Sequence, residues 1–154
     1  MARFTAHREI AAPAQVVWDL VTDWSRHGDW VPLTQMTVTE DTGGVGTRFT
    51  GRSGLGPLAF DDPMVVTGWE PPTSVRAGTA SLRKEGAVVL GTAEVQVVPL
   101  PGERCRLRWT EDVAVLDRRL SRAITLPLAV GGRFAFGAVL KKVAAEAESR
   151  AQQR

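Results

Sequence analysis

Apolar and polar residues alternate at the start of the chain and change period about ten residues later. From Arg3 to Ile10, Phe4, Ala6, Arg8 and Ile10 fall on one side and Thr5, His7 and Glu9 on the other, which predicts a strand. Pro13 then stands at a first helical position, where its missing N–H would have no intrahelical partner anyway. Val17, Leu20, Val21 and Trp24 recur at i, i+3, i+4 and i+7, leaving Gln15, Asp19 and Asp23 for water. That spacing predicts an amphipathic helix of about ten residues. Ser25 to Pro32 predicts a second, shorter helical turn that ends before the proline.

Strands separated by turn chemistry follow. Gln35 to Glu40 and Thr47 to Ser53 flank an Asp41-Thr42-Gly43-Gly44 turn. Leu58 to Trp69 comes after Gly54-Leu55-Gly56-Pro57, and Pro63 within it demands an edge position or a bulge. Val75 to Leu82, Ala87 to Val98 and Arg104 to Val115 complete a set of seven strands, mostly antiparallel. Past Gly132 the turn signals stop. Phe136, Gly137, Leu140, Val143, Ala144 and Ala147 share a face, predicting a long helix from about residue 131 to 151. Asp117 to Ala129 reads as a separate helical turn, broken at Pro127 and at Gly131-Gly132.

The 154 residues fit one compact domain with a sizeable core, spanning 1–154. Met1 to Glu9 carries Arg3, His7, Arg8 and Glu9 and has no apolar stretch of the kind a secretory signal needs, so a cytoplasmic location is expected. Ala123 to Leu140 is apolar, but Pro127, Gly131, Gly132 and Arg133 at its middle argue against a membrane span. Cys105 is the only cysteine, which rules out an intrachain disulfide; we expect it packed in its strand. The net charge of +2 conceals an asymmetry: residues 1–103 carry 8 Lys+Arg against 12 Asp+Glu, and residues 104–154 carry 11 against 5. The basic residues are dispersed, as in Arg104, Arg106 and Arg108 along one strand face, and read as a solvated surface. No nucleic-acid motif accompanies them, and nucleic acid is not an expected partner.

Several motifs occur together in an ordered series: Ile10-x-Ala12-Pro13, Val17-Trp18, Thr22-Asp23, Trp30-x-Pro32, Gly44-x-Gly46, Trp69-Glu70-Pro71-Pro72, Trp109-x-Glu111 and the amphipathic tail. With Trp18, Trp24 and Trp30 at six-residue intervals, this series resembles the polyketide cyclase/dehydrase-like proteins of the SRPBCC superfamily, which includes the START and birch-pollen-allergen-like proteins. The resemblance implies an α+β helix-grip fold. In it a curved seven-stranded antiparallel sheet wraps around a long C-terminal helix, with two short helices after the first strand. It also implies a cavity between sheet and helix. A bent sheet closed by one helix need not meet it everywhere, and such cavities are mostly apolar with a few placed polar groups. The superfamily includes cyclases, hydrolases, steroid and lipid carriers and chaperone activators, so a shared fold leaves the chemistry open.

For such a cavity the lining candidates are Trp30, Phe49, Phe60, Met64, Trp69 and Trp109 from the sheet side and Phe134, Phe136 and Leu140 from the helix. There is no tyrosine, so no phenol is available. Glu111 is the candidate catalytic residue. It lies in phase with Cys105, Leu107, Trp109, Val113 and Val115, and an inward carboxylate without a partner has a raised pKa suited to a general acid or base. The alternative is structural: a bulge or a buried Arg8–Glu111 ion pair would remove the case for catalysis. Arg48 and Arg52 share a strand face, and either would anchor a carboxylate or polarise a carbonyl if it pointed inward; Arg52 joins the ligand-site candidates on that condition. His7 reads as a surface strand residue and His27 as an exposed turn residue. Two histidines and one cysteine match no zinc spacing, and neither a metal nor a cofactor is expected. Gly54-Leu55-Gly56-Pro57-Leu58-Ala59 matches a dinucleotide fingerprint by letters only, because Pro57, Asp61-Asp62 and Pro63 deny it the helix that mechanism requires.

Three functional readings follow. The first is binding of a hydrophobic small molecule, a lipid, sterol-like or polyketide-like compound, by a monomer or homodimer with no integral membrane segment. The second is a polyketide cyclase/dehydrase-type enzyme in the same cavity, with Glu111 moving a proton. The third is a protein-interaction module that uses the basic face of the helix.

Overall fold

The computed structural model describes residues 2–115 and 118–154, and of 118–129 the backbone only. The chain forms β1 (Ala2–Ile10), α1 (Ala14–Val21), a 3-10 turn (Trp24–Arg26) and α2 (His27–Trp30). Then come β2 (Thr34–Glu40), β3 (Arg48–Ser53), β4 (Phe60–Glu70), β5 (Gly78–Glu85), β6 (Val89–Leu100) and β7 (Arg104–Val115), closed by α3 (Arg118–Gln152). The strands make one sheet in the order β1-β7-β6-β5-β4-β3-β2, antiparallel throughout. Strands β2 to β7 are neighbours in sequence order, and the two short helices carry the chain from the β1 edge to the opposite edge. This is the helix-grip architecture the sequence predicts.

Local chemistry explains each boundary. Helix α1 ends at Val21: the Thr22 amide and hydroxyl both donate to the Trp18 carbonyl, and Asp23 then leaves the helical region at φ −79°, ψ 85°. Trp24 therefore opens the next turn and does not extend α1. Pro13 caps α1 from outside and does not begin it. Only Gln15 and Asp19 of α1 face water, joined by a 2.7 Å hydrogen bond, so the helix is buried more widely than an amphipathic stripe predicts. Strand β5 begins later than the pattern from Val75 predicts, since the Thr73 hydroxyl accepts the amides of Val75 and Arg76 and holds a turn there. Val75 is accordingly 90% exposed. At its other end β5 runs on to Glu85, with Lys84 paired to Met64 and Gly91. Pro63 sits where β4 pairs with β3 alone, because β4–β5 pairing starts at Met64. The bulge lies further on, between Val66 and Gly68, and it returns Trp69 to the inner face.

Helix α3 corrects one expectation. It is continuous over 35 residues and does not break at Pro127 or at Gly131-Gly132. Asp117, the first residue of the separate turn predicted there, lies outside the described residues. A proline deletes a single donor, and the ladder resumes on either side of it. Gly132 serves close packing: a Cβ there would lie 2.7 Å from Phe4 Cε1, whereas one on Gly131 would meet none of the described residues within 4 Å. Gly131→Ala is therefore expected to stabilise the protein by about 0.5–1 kcal/mol through helix propensity. Gly132→Ala is expected to lose about 1–2 kcal/mol, overpacking against Phe4 outweighing the same gain. Urea unfolding of the two variants checks the opposite signs.

The core lies between the sheet and the helices. Val17, Leu20 and Val21 of α1, Leu140, Val143 and Ala147 of α3, and Val95, Val97 and Leu107 of the sheet are all fully buried. Cys105 joins them, and burial pushes its thiol up to about 12, so it stays an inert apolar group near neutral pH. Among the described residues no helix is long and apolar enough to cross a membrane. Arg104 and Arg106 both pair with Glu9 on the outer face, as a solvated basic strand requires.

Candidate functional site

Strand pairing sets out the inner face in rows. One row runs Phe4, Glu111, Ala93, Leu82, Val66, and the next runs Val113, Gly91, Lys84, Met64, Phe49. Gly91 carries no side chain between Lys84 and Val113, which leaves the ammonium free to lean diagonally toward Glu111. Asp62, two residues before Met64, lies on the same face. These registers bring three ionisable side chains together: Lys84 Nζ is 2.6 Å from Asp62 Oδ2 and 3.5 Å from Glu111 Oε2. Lys84 is 7% and Glu111 5% exposed. The indole N–H of Trp109 donates to Glu111 Oε1 at 2.9 Å.

Among the described residues the cluster sets two carboxylates against one cation, in a place that water screens weakly. Burial pushes the Glu111 pKa up and the Asp62 charge adds to this, with Lys84 and the Trp109 bond pulling the other way and failing to cancel it. Burial also disfavours the Lys84 ammonium, but Glu111 and Asp62 together outweigh it and its pKa rises. The charged ammonium is therefore favoured on Lys84, and Glu111 holds a proton to higher pH than an ordinary carboxylate. Asp62 Oδ1 is buried and, among the described residues, has no hydrogen-bond partner.

An aromatic wall adjoins the cluster. Trp109 faces Phe136 at 5.4 Å between ring centroids, Phe136 faces Phe4 at 5.2 Å, and the His27 ring lies 5.3 Å from Trp109. His27 is not an exposed turn residue: it is 6% exposed, with Nε2 donating to the Val21 carbonyl at 2.7 Å. The tight 3-10 turn leading into α2 is what swings its ring inward among Trp24, Trp30 and Trp109. Burial holds its pKa down at about 4, and the ring is neutral at physiological pH.

The other candidates divide by location. Phe60, Met64 and Phe136 are half-buried on the inner side. Leu140 is fully buried in the core. Phe49 stacks on Trp24 at 4.8 Å, and Trp30 donates to Glu146 Oε2 of α3, so both are held as core. Trp69, half-buried, packs on Trp18 and Trp24 and borders an open groove of about 600 Å3 with Asp19, Asp23 and Asp41; Asp62, Lys84 and Glu111 do not line it.

Three placements correct the sequence reading. Arg52 points outward and pairs with Asp61, and Arg48 pairs with Glu85, because Phe49 and Gly51 take the inner face of β3. Phe134 is 76% exposed, on the side of α3 away from the core. The Arg8–Glu111 pair does not form: Arg8 is exposed opposite Leu107, and Glu111 faces Phe4. The sequence reading missed Lys84 and Asp62. Each had a signal, Lys84 in phase with Ala80 and Leu82, and Asp62 in phase with Phe60, Met64 and Val66. Among the described residues no group of three or more His, Cys, Asp or Glu could hold a metal ion.

A family model described as "Polyketide cyclase / dehydrase and lipid transport" matches residues 1–148. Among curated proteins none matches this chain in sequence. Several solved structures share the fold. TTHA0849 from Thermus thermophilus is 15% identical with a TM-score of 0.78, covering 96% of this chain and 98% of that one. The ZhuI aromatase/cyclase from Streptomyces sp. R1128 is 21% identical with a TM-score of 0.72, covering 96% and 94%. A point mutant of norcoclaurine synthase from Thalictrum flavum, in complex with a transition-state analogue, is 17% identical with a TM-score of 0.68, covering 96% and 94%.

Proposed function

The chain belongs to the polyketide cyclase/dehydrase and lipid transport family, and from that premise we propose that it encloses a hydrophobic small molecule between the inner face of the sheet and α3. The observation that carries this reading is the buried Asp62–Lys84–Glu111 cluster beside an aromatic wall. A buried charged cluster is rarely the most stable filling for a core, since apolar residues of similar volume often do as well or better. Its presence fits a site that orients a mostly apolar guest by a few polar contacts. Trp109, Phe136, Phe60 and Met64 supply the apolar contacts. Arg52 and Phe134 have no part in it.

The same cluster favours a second reading, in which the guest is a polyketide-like substrate for cyclisation or dehydration. Glu111, with its raised pKa, would transfer the proton, and the Lys84 ammonium would stabilise charge developing on an enolate oxygen. A Glu111→Gln variant separates the two. With a bound guest identified by native mass spectrometry of the purified protein, the enzyme reading expects guest affinity kept within about threefold and turnover reduced by about 100-fold or more. The carrier reading expects altered affinity or no effect, and no turnover in either protein. Purified protein carrying no lipophilic guest, and binding none from a lipid extract, would count against both.

A further inference from the structure

Asp62 is the least satisfied member of the cluster, and its position gives it a task. Resting on the pocket reading above, we infer that Asp62 Oδ1 accepts a hydrogen bond from a hydroxyl or protonated amine at the polar end of the guest, and that the site discriminates against carboxylates.

Three observations support this assignment. The first is the unpartnered acceptor itself: Oδ2 is engaged by Lys84 at 2.6 Å, while Oδ1 is buried with no donor among the described residues. A buried acceptor left unpaired is costly, and a donor brought by a ligand recovers that loss. The second is what surrounds it. Across β3 the register partner of Asp62 is Gly51, which has no side chain, and the next residue in that row is Met36. Two residues on, Met64 lies along Lys84, its sulfur 3.6 Å from Nζ. Both methionines are half-buried, unbranched and soft, the kind of side chain that moves aside for a guest at little cost. The third is the charge count. Among the described residues Asp62 and Glu111 face one cation, Lys84, which hydrogen-bonds Asp62 at 2.6 Å and pairs with Glu111 at 3.5 Å. A third carboxylate would add charge where Glu111 already resists ionisation, whereas a neutral or cationic donor adds none and pairs the free acceptor.

Three aromatic probes of one skeleton test this by equilibrium dialysis at pH 7.5: naphthalene, 2-naphthol and 2-naphthoate. The expected order of affinity is naphthol first, by about tenfold or more over naphthalene, with naphthoate weakest. Asp62→Leu, of similar shape, removes the acceptor and puts no donor in its place, so naphthol is expected to lose its advantage over naphthalene. Naphthalene still bound by the variant reports an intact pocket. The wild-type order requires no variant and remains decisive if Asp62→Leu fails to fold. Naphthoate binding as tightly as naphthol, or naphthol keeping its advantage in a folded Asp62→Leu protein, overturns the donor assignment and leaves the pocket standing. Failure of all three probes to bind overturns the pocket reading together with it.

Discussion

A Lys84→Met protein is expected to lose about 3–5 kcal/mol of unfolding free energy at pH 8 and distinctly less at pH 5. Methionine matches the lysine stem in length, so little packing changes; what disappears is the cation between Asp62 and Glu111. The buried Glu111 and the largely buried Asp62 are then left with no counter-charge among the described residues. The pH dependence follows from linkage. Glu111 already has its pKa raised in the folded protein, so its contribution to stability is fully present below the ordinary carboxylate pKa and is lost as pH rises through the folded value. Removing Lys84 takes away the influence that held that value down, and the acidic carboxyl pair becomes worse at high pH and tolerable at low pH. Urea titrations of both proteins at pH 8 and pH 5 give the difference; His27, whose pKa the Lys84 charge lowers slightly, adds a smaller change of the same sign. Equal losses at both pH values would falsify the electrostatic account and leave a packing defect. Adding Glu111→Gln to Lys84→Met is expected to restore part of the loss at pH 8, since the offending charge is gone.

The fold was readable because it depends on period and punctuation. The two-residue alternation of Arg104 to Val115 marks β7 at the residues where it lies, and it orients Glu111 inward beside Trp109. The site was less readable because it is assembled across strands. Glu111, Lys84 and Asp62 belong to β7, β5 and β4, and nothing along the chain states that a diagonal over Gly91 joins them. The turn built on the Thr73 hydroxyl delays the start of β5, pairing with β4 and β6 carries its end to Glu85, and an alternation stopped at Leu82 excludes the residue that lies inside. Arg48 and Arg52 show the same limit from the other side. Alternation puts them on one face together, but only the packing of Phe49 against Trp24 decides that this face is the outer one. Gly132 misled in a third way, since a glycine that breaks a helix and a glycine that lets a helix approach Phe4 are the same letter.

His27 was misjudged for a similar reason, and its burial carries the second large effect. The wild-type protein is expected to lose about 3 kcal/mol of stability through His27 alone between pH 7 and pH 4. The folded ring has its pKa depressed from 6.5 to about 4, chiefly by burial and slightly by the Lys84 charge, with the Val21 carbonyl bond and Asp23 opposing. A depressed folded value means that stability is fully present above the unfolded pKa and is lost as pH falls toward the folded one, because the unfolded chain binds the proton first. Glu111 works in the opposite sense over the same range, so the net wild-type curve alone does not isolate the histidine. A His27→Gln variant does. The glutamine amide retains a donor for the Val21 carbonyl, while the ring contacts with Trp24, Trp30 and Trp109 are lost. The variant is expected to be less stable than wild type by about 1–3 kcal/mol at pH 7. That deficit shrinks to nothing or reverses by pH 4, since only the wild type must protonate a buried ring. Urea midpoints of the two proteins at half-unit pH steps trace the closing gap. A gap that stays constant from pH 7 to pH 4 would mean that the imidazole reaches water in the folded protein, contrary to its place within the tryptophan cage.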